Sequence, residues 1–359
     1  MFDTQRDIIL FLNYARISNL KILNIISENM LYKFFDFKTN NLEHISSLNS
    51  QDKIRILDTF QKLSINGVKY NLQKFDIKYV TILDQNYPNI LRNIYDAPSI
   101  LYYKGKDIES LENCISVVGT RKPSEYGLYA TKKIVDGFRN YNVNIVSGMA
   151  LGIDFQAHNT ALDNNIPTVG VLASSLEIKY PKTNLNLYDR MKNSLLLSEF
   201  PLGTQPIKRN FIFRNRIISG LSYATIVVEA MNQSGSLVTS KYAIEQNRDV
   251  FAVPGNINSI NSLGTNQLLK RGAKPITEAN DLLQELDFIK EKCKIEVRDN
   301  LHAEDKMMKI LNLLKNDILS IDEIYNISKI PINELYSIIL QLEFKGYIYN
   351  VKDNLYTIN

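Results

Sequence analysis

Three segments of the chain place glycine and hydroxyl side chains at the end of an apolar run, a pattern that suits anion binding. The segments are Gly119-Thr120-Arg121, Ser147-Gly148 and Ser234-Gly235-Ser236. Each one precedes a helical pattern, so the backbone amides at a helix start would point toward a ligand beside the hydroxyls. Arg121 adds a guanidinium that can pair with a phosphate through two N–H groups. Together the three loops predict a site for a phosphate or a nucleotide.

A basic and aromatic segment lies between Glu199 and Glu229, where the sequence contains no acid. Its cations and phenylalanines are interleaved: Lys208, Arg209, Phe211, Phe213, Arg214 and Arg216. Cations neutralise phosphates and rings stack on bases, so this composition is typical of a surface for single-stranded nucleic acid. The alternative is a solvated helix face with one phenylalanine in the core. The three neighbouring loops favour nucleic acid.

Several other chemistries are disfavoured by their missing signatures. The first loop matches neither GxGxxG nor GxxxxGK[ST], which argues against a dinucleotide cofactor and a P-loop NTPase. The two cysteines, Cys114 and Cys293, are far apart, and the three histidines lack the spacing of a metal site. We therefore expect no metal and no cofactor.

Asp154 and His158 are four residues apart and share one helix face. They could form an acid/base pair, but a helix N-terminal acid and a histidine packed against the sheet edge are favoured, because no nucleophile accompanies them. No catalytic residue is predicted.

The elements that must position these residues form an α/β domain. Between residues 111 and 286, apolar Val/Ile/Leu runs alternate with helical patterns, as in CISVVG, NVNIVSG, PTVGVLA, SLLLSEF, ATIVVEA and DVFAVPG. Such alternation predicts a doubly wound, mostly parallel sheet covered on both faces. Ligands of such a sheet bind at the carboxyl ends of its strands, where the three loops would lie.

The flanking segments differ in texture. Residues 1–75 show helical periodicity and predict an N-terminal helical domain, followed by the α/β domain over 76–286 and a charged linker over 287–300. Residues 301–359 predict three helices and a hairpin around Asp353-Asn354, which resembles a winged helix. The third helix carries one lysine and two glutamates, so duplex reading by this domain is not favoured.

The overall charge and hydropathy set further bounds. The formal net charge is +4 and the pI is about 8.7, so nucleic-acid binding must come from local clustering of cations. No membrane span or signal peptide is expected, and a cytoplasmic location is predicted.

A resemblance to a known family rests on ordered motifs. These are VGTR, SGMALGID, YP, SEFP, FIFRNRIISGL, VVEA, SGSLVTS and VFAVPG, spread over about residues 80–285. In this combination the chain resembles the DNA-processing protein A family, also called DprA or Smf.

The resemblance implies an extended Rossmann-like fold that binds single-stranded DNA, with a sterile-alpha-motif-like N-terminal domain and a C-terminal winged helix. It also implies a homodimer without enzymatic turnover that loads the RecA recombinase onto incoming DNA during natural transformation, with single-strand-binding protein as a further candidate partner.

Carried over by motif, Arg121 would hold phosphate. A basic pocket would be lined by Lys208 or Arg209, Phe211, Arg214 and Arg216, with Asn215 ordering the turn. Ser147-Gly148 and Ser234-Gly235-Ser236 would form its floor.

The chain departs from the family pattern at Thr120, where serine is usual, at Ile212, where proline is frequent, and at Leu151, where arginine is frequent. Only the last removes a cation, which would weaken affinity. Two other functions stay open. One is a nucleotide or phosphoribosyl enzyme with Glu229 as its acid, although the PGGxGTxxE loop of such hydrolases is missing. The other is an adaptor with a vestigial pocket.

Overall fold

The structure is a computed structural model that describes residues 2–35, 42–286, 288–289, 301–315, 318–344, 347–352 and 355–358. The chain divides into two compact units, Met1–Glu291 and Lys292–Asn359. None of the described helices is long and apolar enough to cross a bilayer. Each unit is treated separately below.

The first unit begins with amphipathic helices, and polar residues cap the starts of three of them. They are α1 (Gln5–Tyr14), α2 (Asn19–Ser27), α3 (Ser50–Lys62) and α4 (Ile65–Lys74). Side chains of Thr4 and Ser64 accept from first-turn amides, and Asn49 with Asp52 forms a capping box at α3. Their apolar faces share one core with Tyr102 of the sheet and other apolar residues of the α/β region. The N-terminal helices therefore pack directly against that region.

In the described part of the first unit, nine strands form one sheet. They are β1 (Lys78–Thr81), β2 (Ile100–Gly105), β3 (Cys114–Val118), β4 (Asn144–Ser147), β5 (Thr168–Val171), β6 (Leu195–Ser198), β7 (Ala224–Val227), β8 (Asp249–Ala252) and β9 (Lys274–Pro275). Their order is β1-β2-β6-β5-β4-β3-β7-β8-β9. Strands β3 to β9 run parallel, while β2 is antiparallel to both β1 and β6. This confirms the predicted mostly parallel sheet.

The remaining helices of the first unit connect and cover the strands. They are α5 (Asn89–Arg92), α6 (Glu125–Asp136), α7 (Ile153–Asp163), α8 (Leu185–Arg190), α9 (Lys208–Gly220), α10 (Gly235–Glu245), α11 (Leu263–Lys270) and α12 (Ala279–Leu283). The strand order reverses between β3 and β7, which lie side by side with Val118 opposite Val227. This reversal is the topological switch point, where the loops diverge and leave a crevice.

Both faces of the sheet are buried. Along β3, Ile115 and Val117 belong to one apolar core, whereas Cys114 and Val118 belong to the other. Alternating side chains of a strand point to opposite faces, so each face carries its own core. The doubly wound class is confirmed. Cys114 is a buried free thiol, and burial raises its pKa to about 12.

The described residues of the second unit form three helices and a small sheet. These are α13 (Leu301–Leu314), β10 (Leu319–Ser320), α14 (Ile321–Ser328), α15 (Ile332–Phe344), β11 (Ile348–Lys352) and β12 (Leu355–Ile358), with sheet order β10-β12-β11. The winged-helix architecture is confirmed. The turn Asp353-Asn354 and most of the predicted linker over 287–300 lie outside the described residues. Helix α15 contains no lysine or arginine.

Candidate nucleic-acid interface

A cleft opens at the switch point between the ends of β3 and β7. Helix α9 borders it on one side and the start of α10 on the other, and its volume is about 380 Å³. Its lining includes residues of all the elements involved: Gly119, Thr120, Arg121, Lys122, Phe211, Ile212, Arg214, Asn215, Ser234, Gly235 and Ser236. The geometry therefore brings two of the three predicted loops and part of the basic segment to one place. We call it the switch-point cleft.

The loop after β3 is anchored from beneath and presents its cations to solvent. The Thr120 amide donates to the Glu229 carbonyl (2.8 Å), and the Thr120 hydroxyl accepts from the Lys122 amide (3.2 Å). The Glu229 carboxylate accepts from the Ser124 amide (2.9 Å) and hydroxyl, at the start of α6. Arg121 and Lys122 remain exposed. Glu229, the acid that an enzyme would need, is 1% exposed and serves to fix this loop.

Two glycines of the predicted loops permit close packing beneath the cleft. A Cβ on Gly119 would lie 2.5 Å from the Ile153 side chain, and one on Gly148 would lie 2.5 Å from the Arg214 guanidinium. Both distances are shorter than real Cβ contacts. These glycines let α7 and the Arg214 side chain approach the strand ends, so they shape the cleft from below.

Phe211 lies at the centre of a cationic and aromatic cluster. The guanidinium of Arg121 is 5.2 Å from its ring centroid and that of Arg214 is 5.9 Å away, both within cation–π range. The Tyr180 ring lies 5.6 Å from it at an interplanar angle of 59°. Phe211 is half-buried and Tyr180 is 41% exposed. Arg121 and Phe211 line the cleft, and together with Tyr180 and the exposed Leu151 they also line a smaller cavity beside it.

Arg214 is buried and serves the fold from inside the cleft wall. Its Nη1 donates to the Gly148 carbonyl (2.6 Å) and to the Val171 carbonyl, which ties α9 to the ends of β4 and β5. Burial raises the pKa of Asp154, and its attraction to Arg214 opposes this shift. Burial lowers the pKa of the Arg214 guanidinium to about 10. Arg214 is 3% exposed, so it is placed behind the aromatic surface and not on it.

Arg216 lies on the opposite side of α9 and is also buried. Its Nη2 pairs with Glu199, and its Nε is 3.3 Å from an Asp96 carboxylate oxygen. Burial raises the pKa of Glu199, an effect that Arg216 opposes. The structure therefore does not bring Arg216 to the switch-point cleft. Its guanidinium faces a separate groove next to the N-terminal helices.

Helix α9 begins at Lys208, because Pro206 and the extended Ile207 end the preceding loop. Lys208 and Arg209 are therefore in its first turn, and both are exposed. The Arg209 guanidinium lies 5.0 Å from the ring centroid of the half-buried Phe213. This second cation–aromatic pair is on the groove side of α9.

The start of α10 forms the far wall of the cleft. The Ser234 hydroxyl accepts from the Ser236 amide (3.3 Å) and lies 2.7 Å from the Ser236 hydroxyl. Asn215 donates to the Gly235 carbonyl (3.2 Å) and accepts from the Arg214 Nε (3.2 Å). Gly235 is exposed, and apart from its chain neighbours and its own helix, no described residue comes within 4 Å of a Cβ built on it. Asn215 thus connects α9 to an open helix start.

The loop after β4 is turned inward. The Ser147 hydroxyl donates to the Val117 carbonyl (2.6 Å), and the side chain is fully buried.

His158 Nδ1 lies 2.7 Å from the Thr168 hydroxyl, and burial lowers the pKa of His158 to about 3. Among the described residues, no group of histidines, cysteines and carboxylates could hold a metal.

The predicted residues thus fall into an accessible set and a supporting set. The accessible set is Arg121, Lys208, Arg209, Phe211, Asn215, Ser234 and Gly235, whereas Thr120, Ser147, Gly148, Arg214, Arg216 and Ser236 are buried. Gly119 is half-buried and packs against Ile153 beneath the loop. Sequence reasoning overlooked Lys122 and the position of Tyr180 beside Phe211. Lys122 follows Arg121 directly, and the Tyr180-Pro181 pair is among the family motifs, so both carried a signal.

Comparison with known families assigns both units. Residues 78–287 match a family described as DNA recombination-mediator protein A, and residues 298–354 match the DprA winged helix domain. Among curated proteins, the DNA processing protein DprA of Streptococcus pneumoniae is 45% identical over 210 residues, which cover 58% of this chain and 74% of that protein. The Smf protein of Escherichia coli is 35% identical over 271 residues, which cover 73% and 72%.

Two solved structures of DprA proteins also match this chain. The X-ray structure of DprA from Streptococcus pneumoniae aligns with a TM-score of 0.71 and 36% identity, and covers 79% of this chain and 99% of that one. A Helicobacter pylori DprA structure, described by its single-stranded DNA binding mode, aligns with a TM-score of 0.52 and 31% identity over 58% of this chain and 95% of that one. Since the first family match spans more than half of the residues, the chain belongs to the DNA recombination-mediator protein A family, also known as DprA or Smf.

Proposed function

We propose that the switch-point cleft binds single-stranded DNA, with Arg121 and Phe211 as its central contacts. The observation that carries the proposal is the exposed guanidinium of Arg121 over the half-buried ring of Phe211 at the carboxyl ends of the strands. A guanidinium binds a phosphate while the neighbouring ring offers a stacking surface for a base, which is the combination that single strands require. The Helicobacter pylori relative, described as a single-stranded DNA binder, supports the same ligand class.

Charge placement supports a strand over a single nucleotide. Exposed cations continue from the β3 loop to the first turn of α9: Arg121, Lys122, Lys208 and Arg209. A phosphate lies at every nucleotide of a strand, so a row of separated cations suits a polymer. Four neutralised phosphates give a log–log salt slope of roughly −3 for a single strand.

Membership of the family supports a biological role as well. We infer that the protein coats incoming single strands and loads the RecA recombinase on them during natural transformation, with single-strand-binding protein as a further partner. It acts as a homodimer in the cytoplasm and catalyses no reaction. Its proposed task is to hold a strand and hand it over, for which exposed contacts of moderate strength suffice.

The test is fluorescence anisotropy with a labelled single strand of about 30 nucleotides, competed by the duplex of the same sequence across a salt series. Wild-type protein should prefer the single strand. Arg121→Ala should weaken binding and make the slope shallower by about 0.7, the value for one lost contact. Equal preference for duplex, or an unchanged slope in Arg121→Ala, would contradict the proposal.

A matched control is Lys132→Ala. Lys132 is an exposed cation two turns into α6 and lines none of the cavities described above. The Lys132→Ala substitution removes the same charge as Arg121→Ala and should leave the affinity for the single strand unchanged. A loss equal to that of Arg121→Ala would mean that net charge, and not the cleft, governs binding.

A further inference from the structure

A second groove lies between α9 and the N-terminal helices. Its volume is about 520 Å³, a size typical of ligand sites. Three arginines with solvent-accessible side chains line it: Arg16 after α1, Arg55 on α3 and Arg209 on α9. The sequence gives no motif for such a site, because these arginines are separated by up to about half the chain. We call it the N-terminal groove.

The charge balance of the N-terminal groove favours an anion. Its acids are Glu199 and Asp96, and both pair with the buried Arg216. Glu199 also accepts from the Asn19 amide group (2.9 Å). One carboxylate is thus left uncompensated against three accessible arginines. Arg55 also lies 3.9 Å from Asp52, but that carboxylate pairs with Lys21 as well, so the groove is net positive.

A buried polar group points into the same space. Arg216 is 3% exposed, lines the N-terminal groove, and its Nη1 has no hydrogen-bond partner among the described residues. A buried guanidinium N–H without a partner costs free energy unless a ligand or water accepts from it. The Glu199 Oε1 is also without a partner within the described structure, so the site offers one donor and one acceptor at its base.

The first turn of α2 opens on the groove as well. Ser18 precedes this nine-residue helix in an extended conformation, and it makes no side-chain cap bond to any residue that the structure describes. Ser18 and Asn19 both line the groove. Amides at a helix start favour negative charge, and here they accompany the unpartnered Arg216 donor.

We propose that the N-terminal groove binds phosphodiester groups of the same single strand that enters the switch-point cleft. This rests on the proposed function and extends it: the N-terminal helices become part of the DNA interface. Arg209 and Phe213, on the groove side of α9, provide a cation and a ring like those of the cleft. A strand can therefore continue around the start of α9 from one side to the other.

The test compares two strand lengths in the full-length protein. Arg16→Gln/Arg55→Gln removes two groove cations, neither of which lines the switch-point cleft. This variant should bind a strand of about 30 nucleotides several-fold more weakly, with a slope shallower by up to about 1.4 for two lost contacts. A strand of about 6 nucleotides, which fills the cleft alone, should bind as it does to wild type.

Arg55→Gln alone should show half of the slope change. Lys62→Gln serves as the matched control, since Lys62 is an exposed cation on the same helix and is not part of the groove lining. Circular dichroism and the thermal midpoint check that each variant is folded.

The outcomes separate the groove from the cleft. If wild type binds both lengths and the double variant matches it on the long strand, the groove proposal is overturned while the proposed function stands. If the variant loses thymidine monophosphate and retains the long strand, the groove is a mononucleotide pocket and the proposal is also overturned. If wild type binds neither strand, the proposed function fails and the groove proposal fails with it.

Discussion

The two sides of α9 repeat one pattern with different environments. On the cleft side, Phe211 is followed three residues later by Arg214, and on the groove side Phe213 is followed three residues later by Arg216. On each side the ring is half-buried and the arginine is buried. Arg214 donates to strand-end carbonyls, whereas Arg216 pairs with two carboxylates. One helix thus holds two aromatic positions, each supported by a guanidinium from behind.

The two sides differ in how completely the buried arginine is hydrogen-bonded. Arg214 has backbone acceptors and a facing carboxylate, Asp154, so its interactions are internal to the fold. Arg216 retains a guanidinium nitrogen without a partner among the described residues. Arg214 is therefore a structural anchor on the cleft side of α9, whereas Arg216 retains an open hydrogen-bond donor on the groove side.

The largest expected effect comes from Arg214→Leu. The change leaves the Asp154 carboxylate buried without its opposite charge and removes two hydrogen bonds to carbonyls. Leaving a buried carboxylate without its compensating charge costs about 3–5 kcal/mol. Urea denaturation followed by circular dichroism should show this loss, while Arg121→Ala should change the unfolding free energy by no more than about 0.5 kcal/mol.

Adding Asp154→Asn to Arg214→Leu sharpens the comparison. The second change removes the uncompensated charge, so part of the lost stability should return. A fully stable Arg214→Leu protein that no longer binds DNA would instead identify Arg214 as a direct DNA contact.

The sheet could be predicted from sequence because its signal is local. The runs ending at Val118, Ser147 and Val227 are apolar and flanked by glycine or helical patterns, and each became a parallel strand. The two-residue strands β9 and β10 carry no periodicity and could not be found in this way. The start of α9 carries no sequence signal, because its first turn is polar and basic and gives no apolar period.

The sequence shows which segment carries the cations, but not which of them are exposed to solvent. Lys208, Arg209, Arg214 and Arg216 form a single basic run in the sequence, yet a helix turns neighbouring positions to different faces. Whether a given arginine meets solvent or a carboxylate depends on partners far along the chain, such as Asp154 for Arg214 and Glu199 for Arg216. Only the tertiary structure separates the accessible cations from the buried ones.

The aromatic positions give the next effect in size. Phe211→Leu retains apolar volume and removes the ring that Arg121 and Tyr180 flank, so one base should lose its stacking partner. Base stacking on an aromatic ring is worth about 1–3 kcal/mol. Anisotropy with a short strand of about 6 nucleotides should show this loss for Phe211→Leu, and no loss for Phe213→Leu on the groove side.

The long strand should not distinguish the two phenylalanines. With about 30 nucleotides, both variants should bind more weakly, because the strand then reaches both sides of α9. Equal losses for both variants on the short strand would break the comparison and place the two rings in one continuous surface.

The smallest expected effect belongs to Arg209→Gln, at the point where the two sides meet. Arg209 is exposed in the first turn of α9 and lies over Phe213, so its loss removes one phosphate contact and no buried partner. The salt slope for the long strand should become shallower by about 0.7, with a few-fold loss of affinity and no change in the unfolding free energy. Lys241→Gln is a suitable control, since Lys241 is exposed on α10 and its partner, Glu245, lies on the same helix. If Arg209→Gln weakened the short strand as much as Arg121→Ala does, the first turn of α9 would belong to the cleft, and the strand would not pass around it to the groove.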